Sequence, residues 1–220
     1  RLRIRNLSKV LYPEAGFTKA EVIDYYVRVA PAMLPHIAGR GVTLRRYPDG
    51  VDGQSFFEKR CASHRPDFVP TYLGPGDRRG GIEYCGLDSI PALAWAASMA
   101  ALEIHAPMAL GSDIESPVLC VFDLDPGPPA GIAHAVAQVL EKHRPDDVVS
   151  VMTKQLRGGK VFIDWSQNSR HKTTVAAYSL RARPAPTAST PVTWDEVSDA
   201  ADGAPLSFTA AEVLDRVGRS

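Results

Sequence analysis

The chain has no surplus of charge of either sign: 25 Lys and Arg balance 25 Asp and Glu over 220 residues. That excludes a global basic field, so any nucleic-acid binding must rest on local patches. No apolar run approaches the ~20 residues of a membrane span. Arg1-Leu2-Arg3-Ile4-Arg5 alternates charge and hydrophobe instead of opening a secretory signal. Cys61, Cys85 and Cys120 are an odd set without a CxxC pair, so neither a disulfide framework nor a zinc knuckle is suggested. The default compartment is then a reducing cytoplasm. A Walker A loop is missing too, because Arg157-Gly158-Gly159-Lys160 lacks its spacing. There is no internal repeat and no low-complexity tail. What remains is an ordinary globular composition, 45% hydrophobic and 23% charged, long enough for one domain or two small ones.

What is present begins with Val121-Phe122-Asp123-Leu124-Asp125-Pro126-Gly127. The apolar run from Val118 to Phe122 reads as a buried strand ending in two carboxylates. Residues at i and i+2 of a strand share a face, so Asp123 and Asp125 stand side by side where the strand meets a Pro-Gly turn. Paired carboxylates repel unless a cation neutralises them. On its own the pair fits ordinary turn chemistry at least as well as a metal site. Lys160-Val161-Phe162-Ile163-Asp164-Trp165 repeats the design, an apolar run closing on an aspartate. Three strand-borne carboxylates are what a two-metal phosphoryl-transfer site needs.

Thr18-x-x-Glu21 is a capping box before apolar Val22, Tyr26, Val29 and Met33, which predicts a helix disturbed near Pro31. Residues 42–47 and 55–59 read as a hairpin around Pro48-Asp49-Gly50, and the Pro- and Gly-rich stretch 65–82 as an exposed connection. An Ala-rich helix runs from Ser89 to Ala101, and Leu102-Glu103-Ile104-His105 is a half-buried strand. An amphipathic helix spans Ala130 to Lys142, and strands lie near 148–153, 160–165 and 172–178. Pro184 to Pro191 is a tether before two short helices, the second entered by Thr209-x-x-Glu212. The mixture predicts an α+β fold with a largely antiparallel sheet. It forms a single domain, 1–220, with subregions of about 1–86, 87–183 and 184–220.

Arg157-Gly158-Gly159-Lys160 offers glycines for close approach and cations for phosphate, but as a bare motif it fits a hairpin turn better. A lone histidine such as His105 is more often a hydrogen-bonded core residue than a catalytic one. Phe56-Phe57 with Lys59 suits base stacking next to a phosphate, with at least one phenylalanine expected in the core. Cations cluster between Lys154 and Arg183 and again at the N-terminus, two candidate parts of one basic face.

Ser8-Lys9-Val10-Leu11-Tyr12-Pro13, Phe56-Phe57-Glu58-Lys59, Leu102-Glu103-Ile104-His105, Phe122-Asp123-Leu124-Asp125-Pro126-Gly127, Thr153-Lys154, Arg157 to Trp165 and Tyr178-Ser179-Leu180-Arg181-Ala182-Arg183 occur in this order. The series resembles the polymerase domain of bacterial DNA ligase D, in the archaeo-eukaryotic primase superfamily. The resemblance runs from about residue 3 to the C-terminus. It implies nucleotide addition, with ribonucleotides preferred, at DNA 3′ ends during non-homologous end joining, in a bacterial cytoplasm and at the nucleoid. It implies two Mn2+ or Mg2+ ions on Asp123, Asp125 and Asp164. It places His105, Arg157, Gln167 and Arg181 on the incoming nucleotide. Lys9 and Lys19 fall on a 5′-phosphate at a gap or break, and Phe56, Phe57 and Lys59 on the DNA. The implied partners are DNA ends, nucleoside triphosphates, Ku and a ligase domain in cis or trans, with no membrane.

The chain departs from the family at one place. A Ser-x-Lys-Gly-x-His strand that grips the triphosphate is expected between the two aspartate strands. Here Pro128-Pro129 runs directly into Ala130-Gly131-Ile132. A segment of several dozen residues, a helix and about two strands, is therefore expected to be missing after residue 129. A DNA-end-binding module without catalysis is the alternative that this departure raises.

Overall fold

The computed structural model describes residues 2, 4–76, 80–119, 121, 123–125, 141–151, 153–164 and 171–219. Gln167, Cys120, Phe122, the junction at 128–132 and nearly all of the helix expected from Ala130 to Lys142 lie outside the described residues.

Two short strands, β1 (Val10–Tyr12) and β2 (Phe17–Thr18), pair antiparallel and lead into helix α1 (Lys19–Ile37). The capping box forms as the spacing predicts. The Thr18 hydroxyl accepts from the Glu21 amide at 3.4 Å, and the Glu21 carboxylate accepts from the Thr18 amide at 2.7 Å. The helix runs on through Pro31 and Pro35. Its buried stripe of Val22, Tyr26, Val29, Met33 and Ile37 anchors it against the missing backbone bonds.

The chain continues through β3 (Gly41–Arg46), β4 (Phe56–Glu58), β5 (Thr71–Pro75), β6 (Gly81–Gly86), helix α2 (Ile90–Ser98) and β7 (Ala101–Pro107). There follow β8 (Ala109–Leu110), β9 (Asp113–Pro117), β10 (Asp123–Asp125), β11 (Val148–Val149), β12 (Val161–Asp164) and β13 (Thr173–Val175). Strand β14 (Thr187–Ala188), helix α3 (Trp194–Ala201), β15 (Phe208–Thr209) and helix α4 (Ala210–Val217) close the series. The main sheet has the order β13-β7-β3-β6-β5, with β4 also paired to β3, and every pairing in it is antiparallel. A separate sheet has the order β10-β12-β11, with β11 parallel to β12.

Alternation divides the main sheet into two chemically different faces. Val42, Leu44, Leu102 and Ile104 are at most 1% exposed and join the α1 and α2 side chains in one core. By register, Thr43 opposes His105, and Arg45 opposes both Glu103 and Phe57. These residues make up the other face, and the polar chemistry gathers there.

Several expectations from sequence need correction. The stretch 65–82 is not a bare connection, because it contains β5 and the start of β6. Gly74 within it and Gly86 just beyond it are packing sites: a Cβ on Gly74 would meet the Tyr84 ring at 2.8 Å, and one on Gly86 the Tyr72 ring at 2.6 Å. Pro184 to Pro191 is likewise no simple tether, since β14 pairs with β15. The Ala-rich helix stops at Ser98, because Ala101 already begins β7, which is mostly buried. Val118 and Leu119 are exposed instead of lying in a buried strand; both amides donate to the Met108 carbonyl. The turn from Arg157 to Lys160 is not a hairpin, because it belongs to a crossover between parallel strands. Cys61 and Cys85 form a disulfide, with their Cα atoms 4.7 Å apart. Tertiary structure makes that pair: the Cys61 amide donates to the Glu83 carbonyl and lays the loop along β6.

Candidate active site

At the centre of the polar face stands Glu103 on β7, with its side chain 4% exposed. One carboxylate oxygen accepts from Arg45 Nη1 at 3.3 Å and from His105 Nε2 at 3.2 Å. The other accepts from the Ala182 amide at 3.1 Å and lies 3.5 Å from Arg181 Nε. Burial opposes ionisation, but the hydrogen bonds from His105 and Ala182 and the charge of Arg181 outweigh it, holding the carboxyl at about 2. Around this anion the aromatic groups arrange themselves. The His105 ring meets Phe57 edge-on at 5.4 Å, and the Arg45 guanidinium lies over Phe57 at 5.3 Å. Arg46 bonds Glu58 at 3.0 Å and covers the Phe56 ring at 5.2 Å. Neither phenylalanine is core, contrary to expectation: Phe56 is 44% and Phe57 55% exposed. Both are presented outward by β4, which is paired only through β3.

Arg181 is held from behind by three tyrosines of the N-terminal region. Tyr12 donates to the Arg181 carbonyl at 3.1 Å and Tyr25 to the Tyr178 carbonyl at 2.8 Å. The Tyr26 hydroxyl donates to Leu102 at 2.6 Å and accepts from the Leu180 amide at 3.0 Å. Burial raises the pKa of all three phenols, which keeps each one a neutral donor. Tyr178 itself sits at φ +66, a left-handed conformation unusual for a bulky residue and sustained here by this clamp.

A cleft of about 510 Å3 opens beside His105, with Thr43, Phe57, Lys59, Tyr72 and Lys172 among its walls. His105 and Lys59 thus share one cavity.

The aspartates occupy the smaller sheet. Asp123 pairs directly with Asp164, and Asp125 with Phe162. Direct partners and i, i+2 neighbours share a face, so all three aspartate positions lie on one face together with Phe162. The Arg157 guanidinium covers the Phe162 ring, 3.4 Å from its centroid, which puts a cation on that same face. Three carboxylates at adjoining positions suit a hard divalent ion that takes oxygen ligands.

Lys9 and Lys19 are brought together by the first hairpin, where the Lys19 amide donates to the Lys9 carbonyl at 2.8 Å. Lys9 Nζ reaches Asp49 at 2.8 Å. Desolvation and the charges of Lys9 and Arg46 lower the pKa of Lys19, so the pair would gain from an anion.

The family model described as LigD, primase-polymerase domain, matches residues 18–134 and again 129–220. The chain belongs to this family. Among similar LigD proteins is the multifunctional non-homologous end joining protein LigD of Mycolicibacterium smegmatis. It is 39% identical over 271 residues, covering 99% of this chain and 35% of the relative. The multifunctional non-homologous end joining DNA repair protein LigD of Mycobacterium tuberculosis is 40% identical over 276 residues, covering 100% and 36%. The chain therefore spans about a third of the length of these curated LigD relatives. The solved polymerase domain of Mycobacterium tuberculosis ligase D in complex with DNA matches with a TM-score of 0.88 at 38% identity. That match covers 100% of this chain and 95% of the other. The α+β, largely antiparallel architecture is thus the LigD polymerase fold. Both LigD alignments run longer than the 220 residues here. The two family segments overlap at 129–134, where the Ser-x-Lys-Gly-x-His stretch is expected to be missing.

Sequence reasoning singled out His105, Arg181, Phe57 and Arg157 but missed Glu103, Arg45 and the tyrosine clamp. A signal for Glu103 was available. An acid two residues before a histidine in an apolar strand shares the histidine's face. The clamp had none, because the phenols and the backbone they hold are about 150 residues apart.

Proposed function

We propose that this chain is a template-directed nucleotidyltransferase that extends DNA 3′ ends, preferably with ribonucleotides, during non-homologous end joining. Membership of the LigD primase-polymerase family carries the reading, and the shared face of Asp123, Asp125 and Asp164 supports its chemistry. The primer 3′ hydroxyl oxygen forms a bond to the α-phosphorus of the triphosphate. The bond from that phosphorus to the leaving oxygen breaks, pyrophosphate departs and the hydroxyl proton passes to water. Asp123, Asp125 and Asp164 would hold two Mn2+ or Mg2+ ions, which supply charge neutralisation at the attacking and leaving oxygens. Arg157 and Arg181 set cations against the triphosphate, with His105 and Gln167 on the same nucleotide. Phe56 and Phe57 stack on bases, Lys59 meets the DNA backbone, and Lys9 with Lys19 receives the 5′-phosphate across the gap. Ku and a ligase domain, in cis or trans, are the proposed partners.

Primer extension on a 5′-phosphorylated gapped duplex, with manganese and ribonucleotides, tests this directly. Incorporation that Asp123→Ala abolishes is expected. A folded protein with no incorporation, indistinguishable from Asp123→Ala, refutes the catalytic reading. The split of the family match at 129–134 favours one second reading, a DNA-end-binding module lacking the triphosphate grip. That module would bind 5′-phosphorylated ends through Lys9 and Lys19 while nucleotide affinity stays at background.

A further inference from the structure

We propose that Glu103 is a positioning residue for the nucleotide pocket, one buried carboxylate that fixes both the protonated nitrogen of His105 and the placement of the Arg181 guanidinium. The proposal deepens the nucleotide-side reading of His105 and Arg181 and rests on it. Among the described residues the partners of Glu103 are Arg45, His105, Arg181 and the Ala182 amide.

The geometry restricts what His105 can offer. An ionised carboxylate only accepts hydrogen bonds. With Glu103 Oε2 at 3.2 Å, Nε2 of His105 must carry a proton, which leaves Nδ1 as the ring nitrogen for a ligand in the cleft. The ring cannot turn over without losing that bond. Arg181 is constrained twice. Its side chain faces Glu103 Oε1, and the next residue's amide donates to the same oxygen. Side chain and backbone are therefore referenced to one atom. Two guanidiniums and a histidine N–H meet at this single buried anion, and Arg45 and Arg181 would repel each other without it. A structural ion pair needs one cation. Two guanidiniums and a histidine converging on one carboxylate beside an open cleft, on the face that carries Phe57 and Thr43, point to alignment of ligand-binding groups.

Glutamine at 103 has one acceptor oxygen where the carboxylate has two. Glu103→Gln therefore cannot serve the Ala182 amide and the His105–Arg45 pair together. Nitrogen-15 NMR of histidine-labelled protein, without nucleotide, reads the ring state directly. The wild type is expected to show His105 protonated at Nε2, and Glu103→Gln to show a mixture or the opposite tautomer. A wild-type ring protonated at Nδ1 alone overturns the proposal even if the variant fails to fold. An unchanged His105 signal in folded Glu103→Gln overturns it as well.

The kinetic arm uses primer extension with manganese. Glu103→Gln should raise KM for the nucleoside triphosphate about tenfold or more, from weakened charge-assisted hydrogen bonds, with kcat changed less than threefold. Affinity for 5′-phosphorylated duplex ends should stay within twofold of wild type. Loss of kcat and end affinity together, at constant KM, would mark a purely structural residue and refute the proposal. If wild-type protein binds no triphosphate, the nucleotide reading fails; the tautomer result still decides whether Glu103 sets the ring.

Discussion

Replacing Tyr26 by Phe removes a single oxygen atom and leaves the ring packing in place. That oxygen is fully buried and makes two bonds, donating to the Leu102 carbonyl at 2.6 Å and accepting from the Leu180 amide at 3.0 Å. Neither backbone group has water within reach in a residue environment that is 0% exposed at Tyr26, Leu102 and Leu180 alike. A buried polar group deprived of its partner costs about 1–3 kcal/mol, so two of them should cost about 2–4 kcal/mol. The edge contact with Tyr25, at 5.4 Å, survives the change and adds nothing to the loss. Tyr25→Phe is the internal control: it breaks one bond, to the Tyr178 carbonyl, and should cost about half as much. Equilibrium urea unfolding measures both, as a lowered midpoint at constant slope. A Tyr26→Phe loss below about 0.5 kcal/mol would show that the clamp does not hold the 178–181 segment. Because Arg181 follows Leu180, the same variant should weaken triphosphate binding while sparing DNA-end binding.

Glu103 ties stability to acid pH. Its folded value lies near 2 against an ordinary 4.5, so its contribution is complete above about pH 4.5 and disappears as pH falls through 2. At 1.36 kcal/mol per pH unit the loss is about 3 kcal/mol, and Glu103→Gln should flatten the urea-midpoint profile between those limits. Reducing the Cys61–Cys85 bridge, which closes a separation of 24 residues, should cost about 3.5 kcal/mol by loop entropy. A melting temperature unmoved by dithiothreitol would contradict that. Lys19→Glu should lower affinity for 5′-phosphorylated ends and make the salt slope shallower by about one phosphate contact. Equal weakening for unphosphorylated ends would instead place Lys19 on the DNA backbone at large.

Sequence made the local elements legible wherever a side chain bonds its own neighbourhood. Thr18 with Glu21, and Thr209 with Glu212, mark helix starts because the cap closes over three residues. The β3–β4 hairpin was legible through its Pro48-Asp49-Gly50 turn, the aspartate positions through apolar runs closing on carboxylates, and the ordered motifs through family resemblance. Pairings settled by distant chain stayed hidden. Gly74 and Gly86 look like turn residues, yet they make room for Tyr84 and Tyr72. Cys61 and Cys85 gave no pairing signal because β6 brings them together. Glu103 shares the face of His105 by spacing, but its other partners, Arg45 and Arg181, come from distant parts of the chain.

The topology carries a consequence for how this chain tolerates change. The backbone leaves the main sheet after β7 and rejoins it at β13, and the aspartate strands belong to the excursion between them. The frame around Glu103, by contrast, is stitched from both ends of the chain: α1 and β3 on one side, the segment at 178–182 on the other. The excursion behaves as a cassette, inserted between two neighbours of a sheet that closes without it. The strand order thus lets the aspartate-bearing segment vary without breaking the β7–β13 pairing or the frame around Glu103.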